Sequence, residues 1–229
     1  RGGLDWGWTS IVYAGGGRVL TDDNRKVAFD QPAAIEALDW LAKVYNQYRI
    51  GSLDVTFRTG RVAMGTAVLN MAQVAWNQQH IDSIGVAPVP PAENGAPSAN
   101  VLFAEGVSIF NNDPARVQAA WKFIEWCATH QAQVDYVDKT GRIPARRDAL
   151  ARWADAAAPF SGGAAGVEVF SQAIQDGVAP PYGAHYTAMS KLLDPVIDNI
   201  LSGKVAAAVA LKSAAPAVQA LLDATYGAP

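Results

Sequence analysis

Cysteine is almost missing from this chain of 229 residues, and Cys127 stands alone. A single thiol excludes an internal disulfide and any metal site built from several thiolates. Histidine is scarce as well. His80, His130 and His185 lie far apart, with no HExxH or other paired spacing for a metal. No basic run exceeds a pair such as Arg146-Arg147, and the net charge is −3, which leaves no electrostatic footprint for nucleic acid. No apolar run approaches the roughly 18 residues of a membrane span. A GK[ST] phosphate loop and a G-x-S-x-G nucleophile elbow are both missing. The chain also lacks a signal peptide and an initial Met. Its first residues read as the middle of a domain, so we expect a longer protein whose front carries any export information.

Half the residues are hydrophobic and 17% are charged, which is ample apolar material for a packed core. The length suits one large or two small domains, at roughly 100–200 residues each. Seven Trp and seven Tyr form a raised aromatic supply, suited to stacking surfaces and to cores alike. Cysteine poverty fits cytoplasmic and exported proteins equally.

The stretch from Asn100 to Ile109 organises the rest. Val101-Leu102-Phe103 reads as extended, Glu105-Gly106 breaks the run, and Val107-Ser108-Ile109-Phe110 resumes it. A carboxylate and a glycine inside an apolar strand point to a special site, because glycine weakens a strand and tolerates close approach. We read a strand crossing between two lobes, with the break at a hinge facing a cleft. An ordinary hairpin turn or bulge is the plainer alternative.

Before the crossing, Gly15-Gly16-Gly17 marks a tight turn that leaves Trp6, Trp8 and Tyr13 near one surface. Residues 21–30 form a polar turn. Asp30 caps a helix with Pro32 in its first turn, and Ile35, Leu38, Leu41, Val44 and Tyr45 make its buried stripe. A short helix over 53–60, a strand from Val62, a helix over 70–79 and a strand over 84–89 follow. After the crossing, Asp113-Pro114 starts a helix whose inward stripe is Val117, Ala120, Trp121, Ile124 and Cys127, with Cys127 as core filler. Another helix spans about 131–139 and stops at Gly141. Then Arg142-Ile143-Pro144 runs extended, and a further helix begins near Arg147. Residues 156–166 are the best linker candidate. Helices over 167–176, 184–202 and 204–226 close the chain, with Pro195 kinking the second of them. No internal repeat stands out. Mixed helices and strands make the class α/β.

Several of these stretches, in order, resemble the carbohydrate-type extracellular solute-binding proteins of ABC importers, the group of maltose-binding and glycerol-3-phosphate-binding proteins. Ala14-Gly15-Gly16-Gly17 and the segment after it resemble the family's glycine turn and capped helix. Phe57-Arg58-Thr59-Gly60-Arg61-Val62-Ala63-Met64 matches F-x-x-G-x-x-A-M. Ile84 to Pro90 matches the strand before the crossing. Glu105 to Ile109, then Ala120-Trp121-Lys122-Phe123-Ile124, resembles the return strand and its helix. Lys139-Thr140-Gly141-Arg142-Ile143-Pro144 resembles K-T-G-x-x-P.

The resemblance implies a periplasmic-binding-protein-like architecture of two α/β lobes that close over a ligand by hinge motion. Residues 1–103 and 160–229 would build most of the second lobe, and 104–159 the crossing and part of the first. Sugar binding needs aromatics against ring faces and planar polar groups for hydroxyls. The resemblance places Trp6 and Trp8 among the cleft aromatics, and Tyr13, beside the glycine turn, is a further ligand candidate. Thr66 and Asn70 follow the A-M motif, where many relatives carry Gly-Trp and this chain has Val68-Leu69. Glu105 and Gly106 sit at the crossing. Arg142 stands where glycerol-3-phosphate binders carry tyrosine, and His185 and Tyr186 are the late candidates.

The expectation is a monomeric, periplasmic or extracellular binding protein, lipid-anchored or free. It would take a sugar or polyol, phosphorylated or not, and deliver it to ABC permease subunits, with no cofactor, metal, nucleic acid or covalent chemistry. Two other readings stay open: a carbohydrate-active hydrolase using Glu105 as acid or base, and a partner-binding scaffold with no small ligand.

Overall fold

The computed structural model describes residues 7–51, 63–65, 85–90, 100–102, 106–110, 113–181 and 183–227. In chain order the described helices are α1 (Trp8–Ala14), α2 (Pro32–Asn46), α3 (Pro114–Cys127), α4 (His130–Thr140), α5 (Leu150–Ser161), α6 (Ala164–Gln175), α7 (Tyr186–Leu201) and α8 (Ala207–Tyr226), with a 3₁₀ turn at Arg147–Ala149. The chain divides into two units. Unit one comprises Arg1–Met64, Pro88–Phe103 and Ala173–Pro229, and unit two Gly65–Ala87 and Ala104–Gln172.

The described part of unit one is built on four helices, with α7 packed on α8, α1 on α2, and α2 on both α7 and α8. The short α1 has no side-chain cap at Gly7. It holds because Trp8 and Val12, one helical turn apart, both enter the core. The glycine run ends it. Gly16 takes φ 78°, and a Cβ on Gly17 would lie 2.9 Å from the backbone nitrogen of Ala34, so only glycine lets the turn approach α2 so closely. The polar turn that follows is pinned by an antiparallel bridge between Leu20 and Val27, with Asn24 left-handed at φ 57°. Beyond Lys26 it is no longer polar surface, since Phe29 is fully buried.

α2 begins one residue later than its acid suggests. Gln31 is the N-cap, and the Asp30 carboxylate instead accepts from the Gln31 side-chain amide at 2.9 Å. Pro32 stands at the first helical position, where its missing N–H costs nothing. Leu38 is the fully buried member of the expected stripe, and Ile35, Leu41 and Tyr45 pack against the same core. That core adds Val19, Met189, Leu193, Ile197, Leu211, Val218 and Leu222.

Three side chains then tie loose backbone ends across unit one. Asp39 Oδ1 accepts from the Ala207 amide, capping α8 from α2. Asn46 Nδ2 donates to Leu201 O at the end of α7. Gln219 on α8 accepts from Val27 N and donates to Arg25 O, holding the hairpin. Each satisfies a group that secondary structure leaves open, a net contribution of about 1 kcal/mol.

The described part of unit two is helical. Asp113 caps α3 by accepting from Ala115 N and Arg116 N, with Pro114 behind it as expected. Thr129 caps α4, and Gly141, left-handed at φ 65°, ends it. Trp153 lies at the centre of a small core with Val137 and Ala157, its ring edge-on to Phe170 at 6.5 Å.

Two expectations need correction here. The stripe proposed for α3 is not a core stripe. Val117, Ala120, Ile124 and Cys127 are half-buried, Trp121 is exposed, and α3 buries no residue fully; its main described neighbour is α4. Residues 156–166 are not a linker either. The alanines continue α5, Ala157 is in the core, and only Gly162 and Gly163, both at positive φ, separate α5 from α6. Alanine favours helix more than its small size and loop-like company suggest.

At the crossing, Val101 bridges Val178 in parallel, with Leu102 N donating to Val178 O and Val178 N to Asn100 O. Residues 106–110 form no β-bridge among the described residues. The segments expected over 53–60 and 70–79 lie outside the described residues, as do Val62 and Ile84; 63–64 and 85–89 are described and carry no assigned strand. The last three helices fall within a few residues of their expected spans, and α7 runs through Pro195.

Candidate functional site

Of the ten candidate ligand residues, Trp6, Thr66, Asn70 and Glu105 lie outside the described residues. The structure brings three of the others together in unit one: Trp8 and Tyr13 are core members, and Tyr186 packs against the same core. Arg142 and Gly106 belong to unit two.

Trp8 is 2% exposed, and its indole Nε1 is sealed from solvent with no hydrogen-bond partner. A buried unpaired donor costs about 1–3 kcal/mol. Tyr13 is 4% exposed, with the Arg18 guanidinium 5.4 Å from its ring centre in a cation–π contact. Burial raises the Tyr13 pKa; Arg18 opposes that rise and Asp22 adds to it. Neither ring presents a face to an opening. The expected exposed aromatic surface is, for these two, core. The physical reason is α1, which turns both rings inward over the α2 contact.

Gly106 is exposed. A Cβ there would meet nothing within 4 Å, and its φ is not positive. Among the described residues, neither packing nor backbone geometry therefore calls for glycine. Arg142 is half-buried just beyond the α4 cap, its amide donating to Thr140 Oγ1 at 3.2 Å.

His185 is the most enclosed candidate, 1% exposed at the entry to α7. Its Nδ1 lies 3.0 Å from the Tyr226 hydroxyl, and the two rings meet edge to face at 5.4 Å. Burial lowers its pKa, and the Pro181 carbonyl opposes that more weakly. Tyr226 had no motif to announce it. The only signal is an aromatic in the last helical turn directly before a glycine. Tyr186 is half-buried, its amide donating to Gly183 O.

A shallow recess on unit two is lined by Arg146, Arg147 and Asp148. Arg146 donates to both Asp148 oxygens, at 2.9 and 2.7 Å, and to Ala128 O, while His130 Nδ1 stands 3.4 Å from the same carboxylate. The Arg146 fork is committed, so it offers no bidentate grip to a phosphate. Among the described residues no group of three His, Cys, Asp or Glu could hold a metal, and no helix is long and apolar enough to cross a membrane.

Comparison with known proteins sets these observations in a fold. An ABC transporter solute-binding protein from Thermotoga lettingae, bound with alpha-D-tagatose, superposes with a TM-score of 0.79 at 23% identity, over 95% of this chain and 56% of that one. The cyclic alpha-maltosyl-1,6-maltose binding protein from Arthrobacter globiformis gives 0.77 at 24%, over 96% and 56%. The maltose-maltodextrin binding protein of Alicyclobacillus acidocaldarius gives 0.70 at 20%, over 93% and 58%. This chain thus spans little more than half the length of these proteins. A comparison with curated protein sequences gives no significant match. The fold is that of the periplasmic-binding-protein-like, two-lobed α/β proteins.

The family model for bacterial extracellular solute-binding proteins matches residues 4–161. The chain belongs to that family. Its members and the solved relatives are binding proteins rather than enzymes, and the family's extracellular character implies a periplasmic or extracellular location.

Proposed function

We propose that this chain is part of the ligand-binding component of an ABC importer, taking a carbohydrate or related polyol and handing it to the permease without covalent change. The observation that carries this reading is the fold-wide likeness, over more than nine-tenths of the chain, to proteins whose ligands are tagatose, a cyclic maltosyl-maltose and maltodextrins. Hinge closure of the two lobes over the ligand supplies the signal that a permease reads. Residues 1–103 with 160–229 form the second lobe, and 104–159 the crossing and part of the first.

Under this reading the candidate residues fall into two roles. Trp6, Thr66, Asn70, Glu105, Gly106, Arg142 and Tyr186 are the proposed ligand contacts: aromatic faces for sugar rings, and carboxylate, amide and guanidinium groups for hydroxyls. Nothing stands within 4 Å of where a Cβ would lie on Gly106, and its amide is the proposed donor to a ligand hydroxyl. Trp8, Tyr13 and His185 are buried, and we assign them to positioning the second-lobe wall. The mature protein works as a monomer outside the cytoplasm, held near the permease by a lipid anchor or free.

Titration calorimetry on the intact polypeptide with tagatose, maltose, maltotriose and glycerol 3-phosphate tests the reading. Saturable binding of a neutral sugar, with the ligand recovered unchanged, is the expected result. Appearance of a hydrolysis product would replace this reading with that of a carbohydrate-active enzyme. Absence of any heat or melting shift across the panel would favour a scaffold.

A further inference from the structure

One titratable side chain is more deeply buried than any other described and belongs to no catalytic or ion-pair arrangement. His185 sits where three pieces of unit one meet: the Pro180-Pro181 segment, the first turn of α7 and the last turn of α8. Pro180 and Pro181 are themselves buried. We propose that His185 and Tyr226 form a pH-sensitive latch, which holds the C-terminal turn of α8 against α7 while the imidazole is neutral and releases it when the imidazole is protonated.

The geometry supplies both halves of the latch. In the closed form the Tyr226 hydroxyl and Nδ1 share one hydrogen bond at 3.0 Å, and the rings pack edge to face. The closure is tight on the open side as well: a Cβ at Gly183 would lie 2.6 Å from His185 Cε1 and 2.7 Å from the Tyr226 oxygen, so a side chain there would displace the pair. The other ring nitrogen, Nε2, is sealed from solvent without a hydrogen-bond partner. A neutral ring tolerates this. An imidazolium carries a donor on each nitrogen; Tyr226 can turn its lone pairs toward one, and the other faces no acceptor of good geometry.

Burying that charge is costly, and the compensation at hand is slight. Among the described residues, no carboxylate or basic side chain on α1, α2, α7 or α8 acts on the ring; the Pro181 carbonyl is the one group that favours the charged form. The cheaper response is for the pair to part and let water reach Nε2. Tyr226 is at the last position of α8, before Gly227 at φ 79°, so releasing it unravels a helix end and leaves the rest of the core in place. The latch stands without the ligand reading. Its effect on affinity, through the neighbouring Tyr186, rests on that reading.

Hydrogen–deuterium exchange on the whole chain at pH 7.5 and 5.0, corrected for intrinsic exchange, separates the outcomes. Opening of the Leu222–Tyr226 amides should rise by up to about tenfold per pH unit below roughly 6.5, while the Leu193–Ile200 amides of α7 stay protected. His185→Gln keeps a side-chain amide for Tyr226 but cannot titrate, so its exchange should not change with pH. Tyr226→Phe should be open already at pH 7.5. Equal opening of the wild-type segment at both pH values, or an undiminished pH response in His185→Gln, would overturn the latch. Should His185→Gln not fold, ring ¹⁵N shifts of wild-type His185 decide: titration at the ordinary imidazole value refutes it, and a neutral ring well below that value supports it.

Discussion

Among the described residues, the two units bury their aromatic and aliphatic side chains to very different extents. In unit one, four helices drawn from both ends of the chain enclose a continuous core in which Phe29, Leu38, Met189, Leu193, Ile200, Leu211 and Leu222 are all but sealed. In unit two the described core has three fully buried members, Val137, Trp153 and Ala157. Its α3 carries Trp121, Phe123 and Trp126 at 54%, 57% and 57% exposure. Sequence separation accounts for part of this contrast. Unit one is held by side chains that reach across some 155 to 194 positions, such as Asn46 to Leu201 and Gln219 to Arg25. The described ties in unit two are local: Gln133 to Cys127 and Ala145, Arg152 to Asp138, and Arg146 to Ala128.

The largest expected effect lies in the cores. Phe29→Ala should cost about 3–5 kcal/mol in urea denaturation, the usual range for emptying a buried ring site. Phe123→Ala, the same chemical deletion on the exposed face of α3, should stay within about 0.5 kcal/mol. Comparable losses from the two variants would abolish the contrast between the units. Trp153→Ala sharpens it. As the largest buried side chain of unit two it should again cost about 3–5 kcal/mol, yet leave the chemical shifts of the α7 and α8 core unchanged if the units fold with some independence.

Capping comes next in size. Asp113 satisfies two free amides of α3, and its replacement by alanine should cost about 1 kcal/mol and reduce the helical ellipticity. This is also the clearest case of structure legible in the residues. Asp113-Pro114 and Thr140-Gly141 announce a start and a stop through local chemistry, a side-chain acceptor set against the first free amides and a left-handed glycine, and the structure places helix ends there. The α2 start was off by one because Asp30 has a nearer donor in Gln31.

What was not legible depended on distant partners. The α1 helix is short, glycine-flanked and uncapped, and it exists because α2 covers it. The alanine-rich stretch around Pro159 reads as a linker until Trp153 and Val137 give Ala157 something to pack on. The same limit applies to the site. An indole and a phenol beside a glycine turn are compatible with a ligand wall or with a core, and only the direction of α1 assigns Trp8 and Tyr13 to the core. The pairing of His185 with Tyr226, separated by 41 positions, has no local trace.

A smaller effect concerns pH in unit two. The Arg146 fork, aided by His130, holds the Asp148 carboxyl well below the usual carboxylate range. A depressed folded pKa contributes stability above the unfolded value near 4. That contribution fades as pH falls toward the folded value. The pair is solvent-exposed, so the contribution is modest and weakens with salt. Asp148→Asn should lower neutral-pH stability slightly and flatten the acid limb of the stability curve by the same small amount. A large loss at pH 7 would mean that the local ties of unit two carry more than their exposure indicates.

The smallest change in stability should come from the aromatics of α3, and it is the most telling of the comparison. Trp121 has already satisfied its indole by donating to Glu125 at 2.8 Å, and Phe123 and Trp126 stack on each other at 6.0 Å. Replacing Phe123 and Trp126 by glutamine removes apolar surface that faces water in the folded chain, so the unfolded state gains as much as the folded one. Stability should move by less than about 0.5 kcal/mol per site. Binding of a hydrophobic dye should fall, because contiguous exposed aromatic surface is what such a dye reads. A loss of several kcal/mol would show that these rings are covered in solution. Unit two would then hold a core as extensive as that of unit one.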